Sequence, residues 1–313
     1  MTSGGARGGA SAPGCVVLAY GAGAGAVRVV ERLRTEGIPA EAIVVVHNPD
    51  GPASRPPVMP AGVRLEANAA NVGYAAGMNR GLRAQLERGA DPLLLVTQDV
   101  GIPAGAIRAL LAALDSTPEH GALAPLLAEP SGRPFSHGMR RLAGGGLAHR
   151  RGRPPAGSTA WDCDALDGSL LLLRADALRA AGLFDEPFFM YCEEGELCLR
   201  LRRAGRRLAV VPAAVVEQSS GAPSRAAAFG YLMGRNGLEL ARRDAGIAGV
   251  GIGLLRYAAD TAMVLASLVA PGRELNGRFE LIRLVGLWAG TLAFFARRFG
   301  PPPRMLAGDI RGS

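Results

Sequence analysis

The chain has 313 residues, 49% of them hydrophobic and 20% charged, enough to bury a substantial core in one large domain with an extension. Its 35 basic residues are all arginine and leave a net charge of +8, yet they are dispersed and only 5% of residues are aromatic, which argues against a nucleic-acid surface. Four cysteines (Cys15, Cys163, Cys192 and Cys198) form no CxxC pair and no metal-ligand spacing, so reduced and mostly buried thiols of a cytoplasmic protein fit better than a zinc module or a disulfide scaffold.

In chain order, MTSGGARGGASAPG lacks the apolar centre of a secretory leader and reads as a disordered tail over residues 1–13. CVVLAY (15–20) is a short apolar strand, followed by a helix with 3.6-residue periodicity over 26–37. A second buried strand, AIVVVHN (42–48), stops at the turn PDGP, and VRLEAN (63–68) is a third. A helix over 74–88 leads into the continuous apolar run PLLLVTQDV (92–100). This alternation predicts an α/β fold with a mostly parallel sheet flanked by helices. Residues 129–160 are rich in glycine, proline and arginine and read as a loop with short antiparallel strands. Regular structure resumes over 165–186, with a helix over 194–204 and a strand over 207–211. Beyond residue 224 three helices follow, over 226–243, 248–269 and 278–298. Arg256, Asp260 and Arg283 interrupt the last two, so they are expected to pack on the domain or lie in a membrane interface rather than span it. The arginine clusters 140–141, 150–153 and 202–207 read as solvated surface, with attraction to anionic lipids or diphosphates as the alternative.

Four segments carry candidate chemistry. GAGAGA (21–26) matches the G-x-G-x-x-A pattern of a dinucleotide site, but in a glycine- and alanine-rich chain the match is cheap, and the second strand ends in His47-Asn48 without the acid that a ribose requires. NVGYAAGMNRG (71–81) gathers glycines and amides at a helix start, either to receive phosphate or as a tight start capped by Asn71. Asp99, in TQDV at a strand's carboxyl end, is placed to hold a divalent cation on a diphosphate, or to serve only as a turn residue. Glu193, Glu194 and Glu196 crowd beside the rings of Phe188–Tyr191; crowding and apolar surroundings raise carboxyl pKa values and suit a general base, although an ordinary acidic first turn has the same composition.

Together and in this order, these segments resemble family two of the inverting glycosyltransferases, which have the GT-A fold, and within it the rhamnosyltransferase-like branch. NVGYAAGMNRG is similar to N-x-G-aromatic-x-x-G-x-N-x-G, TQDV to N-x-D-x, and YLMGRNGLELARR (231–243) to the Y-x-x-x-R-N helix. The block LDGSLLLLRADALRAAGLFDEPFFMYCEEGELCLRLRRAGRRLAVVP (166–212) follows the family pattern almost position by position. The resemblance implies a GT-A domain over residues 14–223 and a helical extension over 224–313. It implies that Tyr20, Asn48, Asn71 and Gly73 line a nucleotide-sugar pocket together with Asp99, which contacts a divalent cation (Mg2+ or Mn2+). Gly168 and Glu193 fall on the acceptor side, and Glu194 is the base. The implied activity is inverting transfer of a sugar, rhamnose or another hexose, from a nucleotide diphosphate to a glycan or lipid-linked acceptor in cell-envelope polysaccharide synthesis. The expected station is the cytoplasm at the inner face of the cell membrane, with residues 245–300 as a peripheral contact. The chain departs from the pattern at His47, where the family has an acid, at EEGE for E-D-x-D, and at Gln218, where the family has a histidine. His47 and Gln218 motivate an alternative, a non-catalytic nucleotide-sugar-binding or assembly protein of the same fold.

Overall fold

The structure is a computed structural model that describes residues 13–150, 157–218, 226–269 and 277–307. The expected tail up to residue 12, arginines 151 and 153, and the 223/224 domain boundary lie outside the described residues. The first half alternates β1 (Gly14–Tyr20), α1 (Ala24–Thr35), β2 (Ile43–Asn48), β3 (Arg64–Ala67), α2 (Gly73–Glu87), β4 (Leu93–Thr97) and the short β5 (Val100–Gly101). Residues 101–128, to which the sequence pattern assigns no element, supply α3 (Ala106–Ser116) and β6 (His120–Ala128). Within β6, Gly121 and Pro125 dilute the strand signal, but all nine residues are buried between neighbours, so tertiary packing overrides the weak local preference. Then come β7 (Pro134–Ser136), the hairpin β8 (Met139–Arg141) and β9 (Leu147–His149), β10 (Trp161–Asp162), β11 (Leu170–Leu173), α4 (Ala175–Ala181), α5 (Glu193–Arg203) and β12 (Arg207–Gln218). The short strands expected within 129–160 are present, and β12 runs on to Gln218 rather than stopping near 211.

The main sheet has the order β10-β12-β6-β11-β4-β1-β2-β3. β3, β2, β1 and β4 are mutually parallel, as are β6 and β12, whereas β11 runs antiparallel between β4 and β6. Alternate residues of each central strand fill two cores. Val16, Leu95 and Leu171 face α2, α4 and α5 on one side, while Val17, Leu94 and Leu172 face α1 and α3 on the other. This two-faced burial is what continuous apolar strands signify. Cys15, Cys163 and Cys198 are buried and Cys192 is half-buried, all as free thiols.

Beyond the sheet, α6 (Ala226–Val269) and α7 (Gly277–Phe295) pack along each other. α6 is broken at Ala245 and Gly246, whose backbone is not helical, so the two expected helices are its two arms. Among the described residues one helix, 226–268, is long and apolar enough to cross a membrane by length and composition, and this break divides it. A Cβ on Gly234 or Gly290 would fall within 2.1 Å or 1.9 Å of a carbonyl oxygen of the facing helix, so glycines four apart on both helices let the backbones touch. The charges that interrupt these helices are partnered: Arg283 binds Asp260 at 2.9 Å, and Arg256 donates to Gly145 O at 2.6 Å.

Candidate active site

The carboxyl ends of β1, β2 and β4 lie side by side, where open α/β sheets bind ligands. Tyr20 ends β1 and is half-buried; Gln98 holds its backbone from both sides, accepting from Tyr20 N and donating to Tyr20 O, each at 2.9 Å. Asn48 ends β2 but is 3% exposed and fully engaged, donating to Gly73 O at 2.9 Å and accepting from Asn68 at 2.8 Å. It therefore ties β2 to the start of α2. His47 is buried too, its Nε2 donating to Gly21 O at 2.7 Å, so it braces the turn after β1. At the start of α1, Gly25 lies so close to Gln98 that a Cβ would fall 2.4 Å from its carbonyl oxygen. The glycines of GAGAGA thus serve close packing here.

The start of α2 is likewise occupied by protein. Asn71 accepts from Gly73 N at 2.9 Å, and Ala75 N donates to Phe189 O at 3.3 Å. Gly73 has φ +83, and a Cβ there would lie 2.3 Å from Phe189 O. The N-cap residue of α2 is Val72, and Asn71 holds the turn that leads into it. Further along, Asn79 accepts from Phe184 N and donates to Phe184 O, so α2 clamps the FDE segment by both edges of one amide.

Asp99 stands exposed beyond β4, accepting from the Thr97 hydroxyl. β5 pairs Val100 with Gln218 at the end of β12, which brings Asp99 and Gln218 to one corner. Their oxygens suit a hard cation completed by substrate phosphates, since magnesium commonly takes one or two carboxylates and leaves its other positions to phosphate and water. Among the described residues no group of three histidine, cysteine or acidic side chains forms a self-sufficient metal site.

Glu193 and Glu194 open α5, and a strained turn aims them. Phe189, Tyr191 and Cys192 all have φ between 67° and 71°, a conformation that side chains rarely adopt. Two buried residues of α6 hold the turn. The Asn236 amide nitrogen lies within 2.9 Å of the carbonyl oxygens of Phe188, Met190 and Tyr191, and Arg235 donates to Phe188 O at 3.1 Å. Sequence reasoning missed this role. Its only signal was the R-N pair within YLMGRNGLELARR. Glu196 faces elsewhere, held by Arg200 and by Arg243 at 3.1 Å in a buried ionic cluster.

Glu193 is 3% exposed and is not among the residues lining the adjacent cavity, whereas Glu194 lines it. One carboxylate oxygen of each has no hydrogen-bond partner among the described residues. Burial pushes the Glu194 carboxyl up to about 7, with the nearby Asp167 charge adding to the rise and a backbone hydrogen bond opposing it. Burial, then the charge of Glu194, holds Glu193 well above the usual carboxylate range. Tyr74 packs beside Gly168. Its hydroxyl donates to Gly168 O at 2.6 Å, and burial followed by the charges of Glu193, Glu194 and Asp99 keeps it from ionising. A Cβ on Gly168 would lie 3.5 Å from that of Glu194. Thr97, which donates to Asp99, also lies 3.3 Å from Ser169 O, so Asp99 and Glu194 both approach the Gly168–Ser169 segment.

The cavity measures about 680 Å3. Asp167, Gly168, Ser169 and Glu194 line it together, and Leu142, Leu147, Phe229, Met233, Leu240 and Phe279 of the β8–β9 hairpin, α6 and α7 make most of the remaining lining apolar, with Arg256 of α6 as a charged exception. Of the residues expected in the site, Gly168 and Glu194 meet on this wall, Asp99 connects to Ser169 through Thr97, and Asn48, Asn71 and Gly73 join β2 to the start of α2.

No family model matches the chain. Among curated proteins it is similar to the N-acetylglucosaminyl-diphospho-decaprenol L-rhamnosyltransferase of Mycobacterium tuberculosis, 34% identical over 181 residues, which are 49% of this chain and 58% of that one. It is also similar to the rhamnosyltransferase WbbL of Escherichia coli K12, 55% identical over 47 residues, 15% of this chain and 17% of that one. The chain thus spans 58% of the length of the mycobacterial relative and less of the other. Among solved structures, the mannosyltransferase PcManGT of Pyrobaculum calidifontis, in complex with GDP-Man and Mn2+, superposes with a TM-score of 0.53 at 14% identity, covering 91% of this chain and 88% of that one. GalNAc-T7 with UDP, GalNAc and Mn2+ gives 0.51 at 15% identity, covering 67% of this chain and 43% of that one. The fold is that of the GT-A glycosyltransferases, with a C-terminal helical region added.

Proposed function

We propose that the chain is an inverting glycosyltransferase that moves rhamnose or another hexose from a nucleotide diphosphate to a lipid-linked acceptor in cell-envelope polysaccharide synthesis. The observation that carries this is Glu194: a carboxyl with one oxygen unpartnered among the described residues and a pKa pushed up to about 7, on a cavity wall beside Gly168 and near the Thr97–Ser169 contact that carries Asp99. Such a group takes the proton from an acceptor hydroxyl near neutral pH. The acceptor oxygen then bonds to the anomeric carbon as the bond to the leaving diphosphate breaks on the opposite face, which inverts the centre. Tyr20 and Asp99 lie on the donor side, on the carboxyl ends of β1 and β4. Asp99, with the amide oxygen of Gln218, would hold the divalent cation, which when bound neutralises charge on the diphosphate. Asp99→Ala is expected to weaken nucleotide-sugar affinity about tenfold when magnesium is present and to have little effect in EDTA, as titration calorimetry would show. An equal loss in both conditions removes the cation role.

The lipid-linked form of the acceptor is favoured over a free glycan because the cavity is polar at Glu194 and apolar along its body. That division matches an amphiphile, and the mycobacterial relative is named for a diphospho-decaprenol acceptor. Residues 14–223 would carry the donor site and 224–313 the apolar wall. The hairpin of α6 and α7 also leaves large apolar side chains in solvent, among them Leu255 at 71%, Val285 at 66%, Leu292 at 71% and Phe295 at 59% exposed. With the arginine excess, this face fits the inner leaflet of the cell membrane. The protein is expected to float with anionic liposomes at low salt, and its retention in the soluble fraction removes the membrane station.

A further inference from the structure

Beside Glu194 the cavity wall carries a second polar cluster that the proposed chemistry does not use. Asp167, the residue before Gly168, lines the cavity together with His149. Ser136, 1% exposed at the end of β7, donates its hydroxyl hydrogen to Asp167 Oδ2 at 2.7 Å. His149, at the end of β9, places Nδ1 3.3 Å from Asp167 Oδ1 and 3.1 Å from Ser136 Oγ. Three segments far apart in sequence thus converge on one carboxyl group whose side chain is 14% exposed, and the exposed part belongs to the cavity.

The two carboxyl groups on this wall differ in a way that separates their tasks. Glu194 keeps one buried oxygen without a hydrogen-bond partner among the described residues, which leaves it capacity to take up a proton. Asp167 is pinned by a hydroxyl and an imidazole, which fixes its orientation and leaves part of a carboxylate's acceptor capacity for a ligand. Burial raises the Asp167 pKa, while His149 and the Ser136 hydrogen bond oppose the rise. A fixed carboxylate beside a proton acceptor is suited to grip one hydroxyl of a sugar while its neighbour reacts.

We propose that Asp167, held by Ser136 and His149, is the acceptor-binding carboxylate: it accepts a hydrogen bond from one hydroxyl of the acceptor sugar and thereby selects the hydroxyl that Glu194 deprotonates. This rests on Glu194 being the base. The ligand class is a pyranose with a free hydroxyl next to the attacking one, joined to an apolar diphospholipid. Ser136 and His149 are positioning residues, which act through Asp167.

The test uses a short-chain N-acetylglucosaminyl diphospholipid and its monodeoxy analogues as acceptors and a nucleotide-diphosphate rhamnose as donor. For the wild-type chain, one deoxy analogue should lose at least about tenfold in kcat/KM, since a site built around a hydroxyl rejects the compound lacking it. Asp167→Ala should lower kcat/KM for the full acceptor and erase that discrimination, with donor KM unchanged within about twofold. Asp167→Asn, which keeps the shape, carries the same comparison if the alanine variant fails to fold. Discrimination that survives in the folded variant, or a loss that falls equally on donor KM, overturns the proposal. A wild-type chain that folds but neither binds nor uses any nucleotide sugar sinks the glycosyltransferase function itself, an outcome distinct from intact transfer with unaltered acceptor choice.

Discussion

Glu194→Gln is expected to lower sugar transfer by about 10²–10⁴-fold, the usual contribution of a positioned base, while donor affinity stays at the wild-type value. Glutamine keeps the shape of the side chain and removes the proton acceptor, so chemistry is lost and the donor side is left alone. Loss of binding and turnover together would make Glu194 structural. The wild-type rate should rise with pH through about 7, where this carboxyl deprotonates, rather than through the ordinary glutamate range near 4.5. Stability moves the other way. The folded-state pKa lies above the unfolded one, so between about 4.5 and 7 the folded chain holds a proton that the unfolded chain releases, and stability falls as pH rises through that window. The Gln variant has no such proton to lose. Its melting temperature should exceed that of the wild type at pH 8 and match it at pH 4, and a variant less stable at both values contradicts the assignment.

The second large effect is expected at Asn236, which is fully buried and does not itself line the cavity, although its partner Tyr191 does. Its amide nitrogen serves three carbonyl oxygens of the turn before α5, and the turn holds three non-glycine residues at positive φ. Each such residue costs on the order of 1–3 kcal/mol and persists only when its surroundings enforce it. Asn236→Ala should therefore reduce stability by about 2–4 kcal/mol in denaturant titration, from buried carbonyl groups left unpaired. The folded fraction should also show a lower kcat, because relaxation of Phe189–Cys192 turns Glu194 away from Gly168, while nucleotide affinity at the other end is retained. A variant with wild-type turnover would mean that the turn is held by its own packing, for example by the contact of Tyr191 with Phe229.

The elements legible in the sequence were those whose own pattern decides them. β1, β2 and β4 are uninterrupted apolar runs, and α5 opens with acidic residues and closes with arginines, in accord with its dipole. The break in α6 was legible as well, since Gly246 separates two apolar stretches. β6 was not legible: a strand containing Gly121 and Pro125 is stabilised by β11 and β12 on its two sides, and neither partner is visible locally. The candidate site divides in the same way. The carboxylates at 99, 193 and 194 stood out by type and context, yet the exposure of the first and the burial of Glu193 did not. The resemblance implies that Asn48, Asn71 and Gly73 line a nucleotide pocket; their contacts with one another and with Phe189 and Asn68 came only from the structure.

By itself, then, the order of residues determined the alternation of strands and helices, the apolar hairpin at the end and the chemistry available, because these depend on neighbours within a few positions. Only the tertiary structure decided which carboxyl meets the cavity. Glu193, Glu194 and Glu196 share one helical turn, and packing alone sends the first into the protein, the second to the cavity wall and the third into an arginine cluster. Asp167, His149 and Ser136 likewise become a unit only when β7, β9 and the turn before β11 are brought together, since no spacing rule links residues that far apart along the chain.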